Sequence, residues 1–171
     1  MTTVSQDIIS PEETIVRLLH QEWVVNGILQ QTAFNLRNGE TYLSVNRPAV
    51  DSYEADVVSF IEQHPKYRTA PLMDSYRRAE LNVGEVRNID IRLRDQSLDV
   101  EVEVESRSTH AKSHAGIFTR LDGKNIKGGQ VASISVKGGK VVSTEMILQK
   151  MRWHLLQQAK VSTCHLANHK K

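Results

Sequence analysis

The residues of this chain best suited to chemistry lie between Ser106 and Gly116. Two histidines, two cationic side chains and four hydroxyl side chains fall within these eleven residues. The run follows a strongly patterned strand and precedes another apolar segment, and loops beyond strand ends are where scaffolds usually carry chemistry. The stretch is therefore the first candidate for a functional site.

His110 and His114 are four residues apart, a spacing that places both side chains on one face in a helix or in a strand. Two such imidazoles could serve as acid and base on a phosphoester, or as half of a zinc site. The zinc protease pattern requires glutamate at position 111, where this chain has alanine. A third ligand would have to come from His20, His64, His154 or an acid. We expect neither a metal nor another cofactor, and keep a His-ligated metal hydrolase as an alternative.

The other polar residues of the stretch could surround an oxyanion, most simply a phosphate. They are Ser106, Arg107, Ser108, Thr109, Lys112 and Ser113. Gly116 would let the backbone approach a ligand closely. Arg47, held before Pro48 at the end of another predicted strand, could add a planar fork. The opposing interpretation is a solvated basic loop, with Arg47 in water on a different edge of the sheet.

Charge distribution suggests what such a site would bind. From Arg107 to Lys140 there are seven Lys or Arg residues and one acid, Asp122. A phosphate-bearing small molecule or a nucleic acid would suit this segment. The net charge of +2 is too small to imply nucleic acid by itself, and with 5% aromatic residues no stacking platform for single strands is evident. Whether the chain is a binding module or an enzyme stays open.

Composition places the chain among ordinary globular proteins. It has 171 residues, 39% of them apolar and 25% charged, which fits one domain with its own core. No apolar run is long enough for a membrane span, and no signal-peptide pattern is present. Cys164 stands alone, so no disulfide framework is expected. We expect a cytoplasmic protein without membrane association, whose oligomeric state the composition does not indicate.

The clearest structural pattern precedes the candidate site. Between Leu98 and Glu105, apolar residues alternate with four carboxylates, which predicts a strand with one buried face. Carboxylates in a row along a strand repel one another, so neighbouring cations are expected. Arg87, Arg92 and Arg94 lie just upstream and could supply them.

Three helices are predicted, near residues 11 to 20, 52 to 63 and 144 to 160. Ser10 and Pro11 give the first a capping signal, Asp51 would cap the second, and Ser143 or Thr144 would open the third.

Strands are predicted in the remaining segments. Trp23 to Leu36 should form one or two strands broken at Asn26-Gly27, and Thr41 to Asn46 a return strand with Leu43 and Val45 on one face. Arg77 to Leu93 should be a strand bent at Gly84. The order predicts a single α+β domain over residues 1 to 171, with three helices and a mostly antiparallel sheet of about six or seven strands. Residues 1 to 9 and 162 to 171 should be loose tails.

Part of the chain resembles a group of small uncharacterised bacterial proteins. The shared features are an early arginine, Arg17, a glycine-containing segment ending in Ala33-Phe34, and the strand Leu43-Ser44-Val45. The resemblance covers about thirty residues, and this chain lacks a proline after Arg17 that the pattern contains. It implies a bacterial, cytoplasmic origin and no assigned activity.

The order of Arg17 and Ser44 is also similar to the arginine and serine of ADP-ribosyl-transferring folds. Those folds carry a third element, a late catalytic glutamate on a strand, which has no distinctive match here. An ADP-ribosyl transferase-like activity is therefore a further alternative.

Overall fold

A computed structural model of the chain describes residues 8–67, 75–93, 96–109, 111–130, 132–136 and 140–165. The early strands are β1 (Thr14–Leu18), β2 (Val24–Val25), β3 (Ile28–Leu29), β4 (Leu43–Asn46) and β5 (Ser75–Asn82). The next are β6 (Arg92–Leu93), β7 (Gln96–Ser97), β8 (Val100–Ser106), β9 (His114–Leu121) and β10 (Lys124–Asn125). The last are β11 (Ser133–Val136), β12 (Lys140–Ser143) and β13 (Lys160–His165). The helices are α1 (Tyr53–Gln63), α2 (Val83–Arg87) and α3 (Thr144–Gln158), with 3-10 turns at Gln21–Trp23, Gln31–Phe34 and Pro65–Tyr67.

Seven strands form one antiparallel sheet, in which β9 has neighbours on both sides. On one side β9 pairs with β8, and on the other with β4 and β10. From β4 the order continues through β1 and β5 to β13. The prediction of an α+β domain with a mostly antiparallel sheet is confirmed.

Helices cover both faces of this sheet. Tyr53, Val57 and Ile61 of α1 pack on one face with Val16 and Leu18 of β1. On the other face, α2 and α3 pack over a larger core that contains Ile15 of β1. Within the described ranges, no helix is long and apolar enough to cross a membrane.

Strand β8 has the predicted register. Val102 and Val104 are 3% and 1% exposed, whereas Glu101 is exposed. Two of its acids have cationic partners: Arg87 binds Glu103, and Arg120 of β9 lies 2.6 Å from Glu105. Of the other predicted partners, Arg92 pairs with Asp90 and Arg94 lies outside the described residues.

The helix predicted near residues 11 to 20 is wrong, because Thr14–Leu18 forms strand β1. This strand lies between β4 and β5, and Ile15 and Val16 are both fully buried, one on each face. A strand buried on both faces does not show period-2 alternation. Its apolar run therefore imitated one side of a short helix, while Ser10 and Glu13 form a turn instead.

Other segments divide between confirmation and correction. Val24–Val25 and Ile28–Leu29 form a hairpin around Asn26-Gly27, where a break in one or two strands was predicted, and both turn residues have positive φ. Gln31–Phe34, in the same predicted strand segment, forms a 3-10 turn instead. The second and third predicted helices are α1 and α3, although Ser52 rather than Asp51 occupies the cap position of α1. At Gly84 the chain enters the short helix α2 instead of bending within a strand.

The C-terminal segment also differs from its prediction. Lys160–His165 pairs with β5 as strand β13, so residues 162 to 165 are part of the sheet and not of a loose tail. Residues 1 to 7 and 166 to 171 lie outside the described residues, whereas Ile9 is buried in the larger core.

Candidate functional site

A pocket of about 300 Å³ lies between α1 and the face of the sheet formed by β1, β4 and β9. Most of its lining residues are polar, and Phe60, Leu18 and Tyr67 make the large apolar contributions. The polar lining residues are Arg17, Ser44, Asn46, Asp56, Ser59, Gln63 and His114. The volume suits a small molecule.

Arg17 of β1 lines this pocket from the middle of the sheet and carries a buried positive charge. Its side chain is buried, with Nε donating to the carbonyl of Ala33 at 2.8 Å and one terminal nitrogen donating to the carbonyl of Ser44 at 2.7 Å. The guanidinium carbon lies 5.1 Å from the centre of the Trp23 ring. Burial lowers the pKa of Arg17 to about 10, so the side chain stays charged at neutral pH.

No carboxylate of the described residues lies within ion-pair distance of this guanidinium. Glu40 acts on it only at longer range and favours its charged form. Two carbonyls and one indole face leave part of the donor capacity of a guanidinium unused. Arg17 is thus a buried cation that borders a pocket without a neutralising acid in contact.

Ser44 and His114 meet on the face of the sheet that borders the pocket. Asn46 is opposite His114 and Ser44 is opposite Gly116, so Ser44 and His114 are diagonal neighbours on β4 and β9. Ser44 Oγ and His114 Nε2 are 2.8 Å apart. Ser44 is exposed, whereas Leu43 and Val45 on either side of it are buried and hold the strand in place.

Asp56 of α1 ties the helix to the loop that precedes β9. Its Oδ2 accepts from the Ser113 backbone N–H at 3.0 Å and from the Ser52 hydroxyl at 2.9 Å. Burial works to raise the pKa of Asp56, but hydrogen bonds from Ser113 and Ser52, together with Lys112, outweigh it and lower that pKa. Asp56 is therefore an ionised, hydrogen-bonded carboxylate at neutral pH.

The structure divides the predicted stretch. His114 lines the pocket, and Ser113 is fully buried beside it, where its hydroxyl accepts from the Asn46 amide at 3.2 Å. Ser108, Thr109 and Lys112 are exposed and do not line it. His110 lies outside the described residues.

Two further members of the stretch have packing roles. Arg107 stacks over the ring of Tyr42, with its guanidinium carbon 5.1 Å from the ring centre. Gly116 allows Tyr42 to lie close, because a Cβ there would come 2.5 Å from Tyr42 Cδ2. Ser106 belongs to a separate surface hollow beside Arg87 and Arg120.

The backbone of Arg47 lies near the pocket, but its guanidinium binds elsewhere. Its N–H donates to the Ser113 carbonyl at 2.8 Å, so the two predicted strand ends do meet. Its guanidinium, however, forms a buried bidentate pair with Glu13, at 2.6 and 3.0 Å. Neither Arg47, the predicted planar fork, nor Lys112 lines the pocket.

One feature of the sequence indicates that Arg17 is buried, although residue spacing alone does not single it out. Arg17 interrupts the run Ile15-Val16-Arg17-Leu18-Leu19, and a charge inside a fully apolar segment indicates a buried cation. Strand alternation placed Ser44 on the face opposite Leu43 and Val45. No local sequence pattern singled out Asp56 and Gln63, because polar residues are ordinary on the outer side of a helix such as α1. The same holds for Tyr67, which lies in the 3-10 turn after α1.

Among the described residues, no three His, Cys, Asp or Glu side chains converge on a point. Arg17 donates to the backbone carbonyl of Ser44, so the two residues on which the ADP-ribosyl transferase-like alternative was based are in contact. The acid that lines the described part of the pocket, however, is an aspartate on a helix.

No protein-family model matches this chain, and neither a curated protein nor a solved structure matches it.

Behind the pocket, His20 should make the fold sensitive to acid. Its ring lies between Trp23 and Tyr67, at centroid distances of 4.2 and 3.8 Å, and its Nε2 is buried without a partner among the described residues. Burial lowers its pKa from 6.5, and the nearby cations Arg37, Arg17 and Lys66 add to this against Glu22. The unfolded chain thus binds this proton more readily, and the free energy of unfolding should fall as pH drops below 6.5.

Urea denaturation of the wild type and of His20→Phe, at about pH 7.5 and about pH 5.5, would measure this contribution. We expect a smaller acid loss in the variant. His64→Gln is the matched control, because it removes an exposed histidine. An equal acid loss in wild type and His20→Phe would contradict the assignment to His20.

Proposed function

We propose that this protein binds a phosphate-bearing small molecule in the pocket between α1 and the sheet, with Arg17 as the charge anchor. The observation that carries the proposal is the buried guanidinium that borders the pocket without a carboxylate partner in the described structure. A buried charge is costly unless it is paired, and an anionic ligand would provide the pairing. Arginine suits this role because its planar donors match phosphate oxygens.

The remaining lining supports a small organic phosphate over a polymer. Ser44, Asn46 and His114 offer hydrogen-bonding groups beside Arg17, and Ser59 and Gln63 offer more from α1. Phe60 and Tyr67, whose ring centres are 4.9 Å apart, form an apolar wall against which a carbon skeleton could pack. Asp56 could accept from a hydroxyl of the ligand. The resemblance through Arg17, Ala33-Phe34 and Leu43-Ser44-Val45 supports a bacterial, cytoplasmic setting for the same proposal.

Titration calorimetry with inorganic phosphate, glucose 6-phosphate and adenosine monophosphate would test the proposal. We expect Arg17→Met to weaken binding by about 10- to 150-fold, the equivalent of losing about 1.5 to 3 kcal/mol of charged hydrogen bonds. Arg107→Met is the matched control, because it removes an exposed arginine of the Ser106 to Gly116 stretch that does not line the pocket. Acetate, run in parallel, separates phosphate recognition from general anion binding.

Arg17→Met also removes the hydrogen-bond donor of the Ala33 and Ser44 carbonyls and could therefore unfold the chain. A second variant tests the proposal without this risk. Gln63→Glu places a negative charge on an exposed residue of the pocket lining and should weaken phosphate binding without unfolding the chain. The proposal would be overturned if Arg17→Met and Gln63→Glu both kept the phosphate affinity of the wild type, or if the affinity fell only in Arg107→Met.

A further inference from the structure

We infer that Ser44 is the nucleophile of a phosphoryl-transfer reaction in this pocket and that His114 is its general base. The inference rests on the proposed function, because Arg17 must hold the phosphate beside Ser44. It adds a reaction and a reactive atom to what is otherwise a binding site.

The distance between the two side chains is the first support. A separation of 2.8 Å between Ser44 Oγ and His114 Nε2 is within reach for a hydroxyl and the base that activates it. With its proton on Nδ1, His114 can accept the hydroxyl proton at Nε2. Serine alone is a weak nucleophile, and an adjacent imidazole is a common means of activating it.

Rigidity and access are the second support. Both residues lie on paired strands inside the sheet, where β4 is held between β1 and β9. The Ser44 carbonyl also accepts a hydrogen bond from the Arg17 guanidinium at 2.7 Å, and this bond fixes the backbone that carries the hydroxyl. Ser44 is exposed on the pocket side, so a ligand can reach its oxygen.

The position of Arg17 is the third support. Because its guanidinium contacts the backbone of Ser44, a phosphate bound to its remaining donors would lie next to the Ser44 side chain. A fixed cation at this place would stabilise the charge on the non-bridging oxygens during transfer. Binding and reaction would thus use neighbouring atoms of one pocket.

The reaction balances with a phosphate monoester and water. Ser44 Oγ bonds to phosphorus while His114 Nε2 takes its proton, and the bond from phosphorus to the ester oxygen breaks. The alcohol leaves from the side of phosphorus opposite Ser44, so it takes a proton from solvent, while His114 keeps the proton of Ser44. Water then attacks phosphorus from that opposite side and gives a proton to solvent. The bond from phosphorus to Ser44 Oγ breaks, phosphate is released, and His114 returns its proton to Ser44 Oγ.

The test uses the full chain with p-nitrophenyl phosphate, measuring release of nitrophenol and, after acid quenching, the mass of the protein. Ser44→Ala should abolish both turnover and the phosphoryl adduct, and His114→Ala should lower turnover by about 10²- to 10⁴-fold. Ser133→Ala is the matched control, because Ser133 is an exposed strand serine of the separate β11–β12 pair.

Phosphate binding, measured in the same variants, separates this inference from the proposed function. Ser44→Ala should bind inorganic phosphate no more than about tenfold more weakly than the wild type, because Arg17 is the anchor and Ser44 contributes one neutral hydrogen bond. Arg17-dependent phosphate binding without nitrophenol release would overturn the nucleophile and leave the binding proposal intact. Full turnover in Ser44→Ala, or an adduct on another residue, would overturn it as well. Absence of phosphate binding in the wild type would overturn both.

Discussion

Replacement of Val102 by aspartate is expected to destabilise the fold by about 4 kcal/mol or more, since it buries an unpaired carboxylate. Val102 is 3% exposed and lies within the larger core, opposite Thr119 of β9. A loss of this size is a large part of the free energy of unfolding of a typical domain. Urea denaturation at neutral pH, followed by tryptophan fluorescence, would measure it.

The neighbouring residue provides a control for this prediction. Glu101 is exposed on the same strand, so Glu101→Gln should change the free energy of unfolding by no more than about 0.5 kcal/mol. At acid pH the new aspartate becomes neutral, and the difference between Val102→Asp and the wild type should shrink. A cost below about 1 kcal/mol at neutral pH would be incompatible with the register of β8.

Replacement of Arg47 by methionine should cost about 3 to 5 kcal/mol, because it leaves the Glu13 carboxylate without its buried partner. The two side chains are 10% and 11% exposed, and their contacts are bidentate, at 2.6 and 3.0 Å. The pair links the turn before β1 to the end of β4. Thermal and urea denaturation of the variant would give the cost.

The double variant Arg47→Met, Glu13→Gln tests whether the pair is the cause. It should recover part of the lost stability, because no charge is then left unpaired. The same experiment decides the role of Arg47 in ligand binding. If Arg47 is structural, the double variant keeps its phosphate affinity; if Arg47 anchors a ligand, that affinity is lost with the arginine.

Local patterns determined the elements with one buried and one exposed face. The alternation between Leu98 and Glu105 predicted the bounds of β8 to within two residues, and its orientation, because a period of two fixes which side chains face the core. The same rule placed Leu43 and Val45 on one face of β4 and Ser44 on the other. Helices α1 and α3 followed from helical spacing and capping residues.

Elements buried on both faces could not be assigned in this way. Thr14–Leu18 forms a strand because residues 43 to 46 and 75 to 82 pair with its two edges and helices pack on its two faces. Residues 160 to 165 likewise became a strand only because β5 offered a free edge. Their own composition is polar and carries little local preference.

The sequence alone determined that His114 and its neighbours form a polar segment at a strand end, and that Arg17 is a charge within an apolar run. Only the tertiary structure decided which residues share a pocket. Arg17, Ser44, Asp56 and His114 come from four separate elements, brought together by antiparallel pairing and by the packing of α1. The same packing pairs Arg47 with Glu13. Side-chain partners across a sheet are set by register and burial, and sequence spacing contains neither.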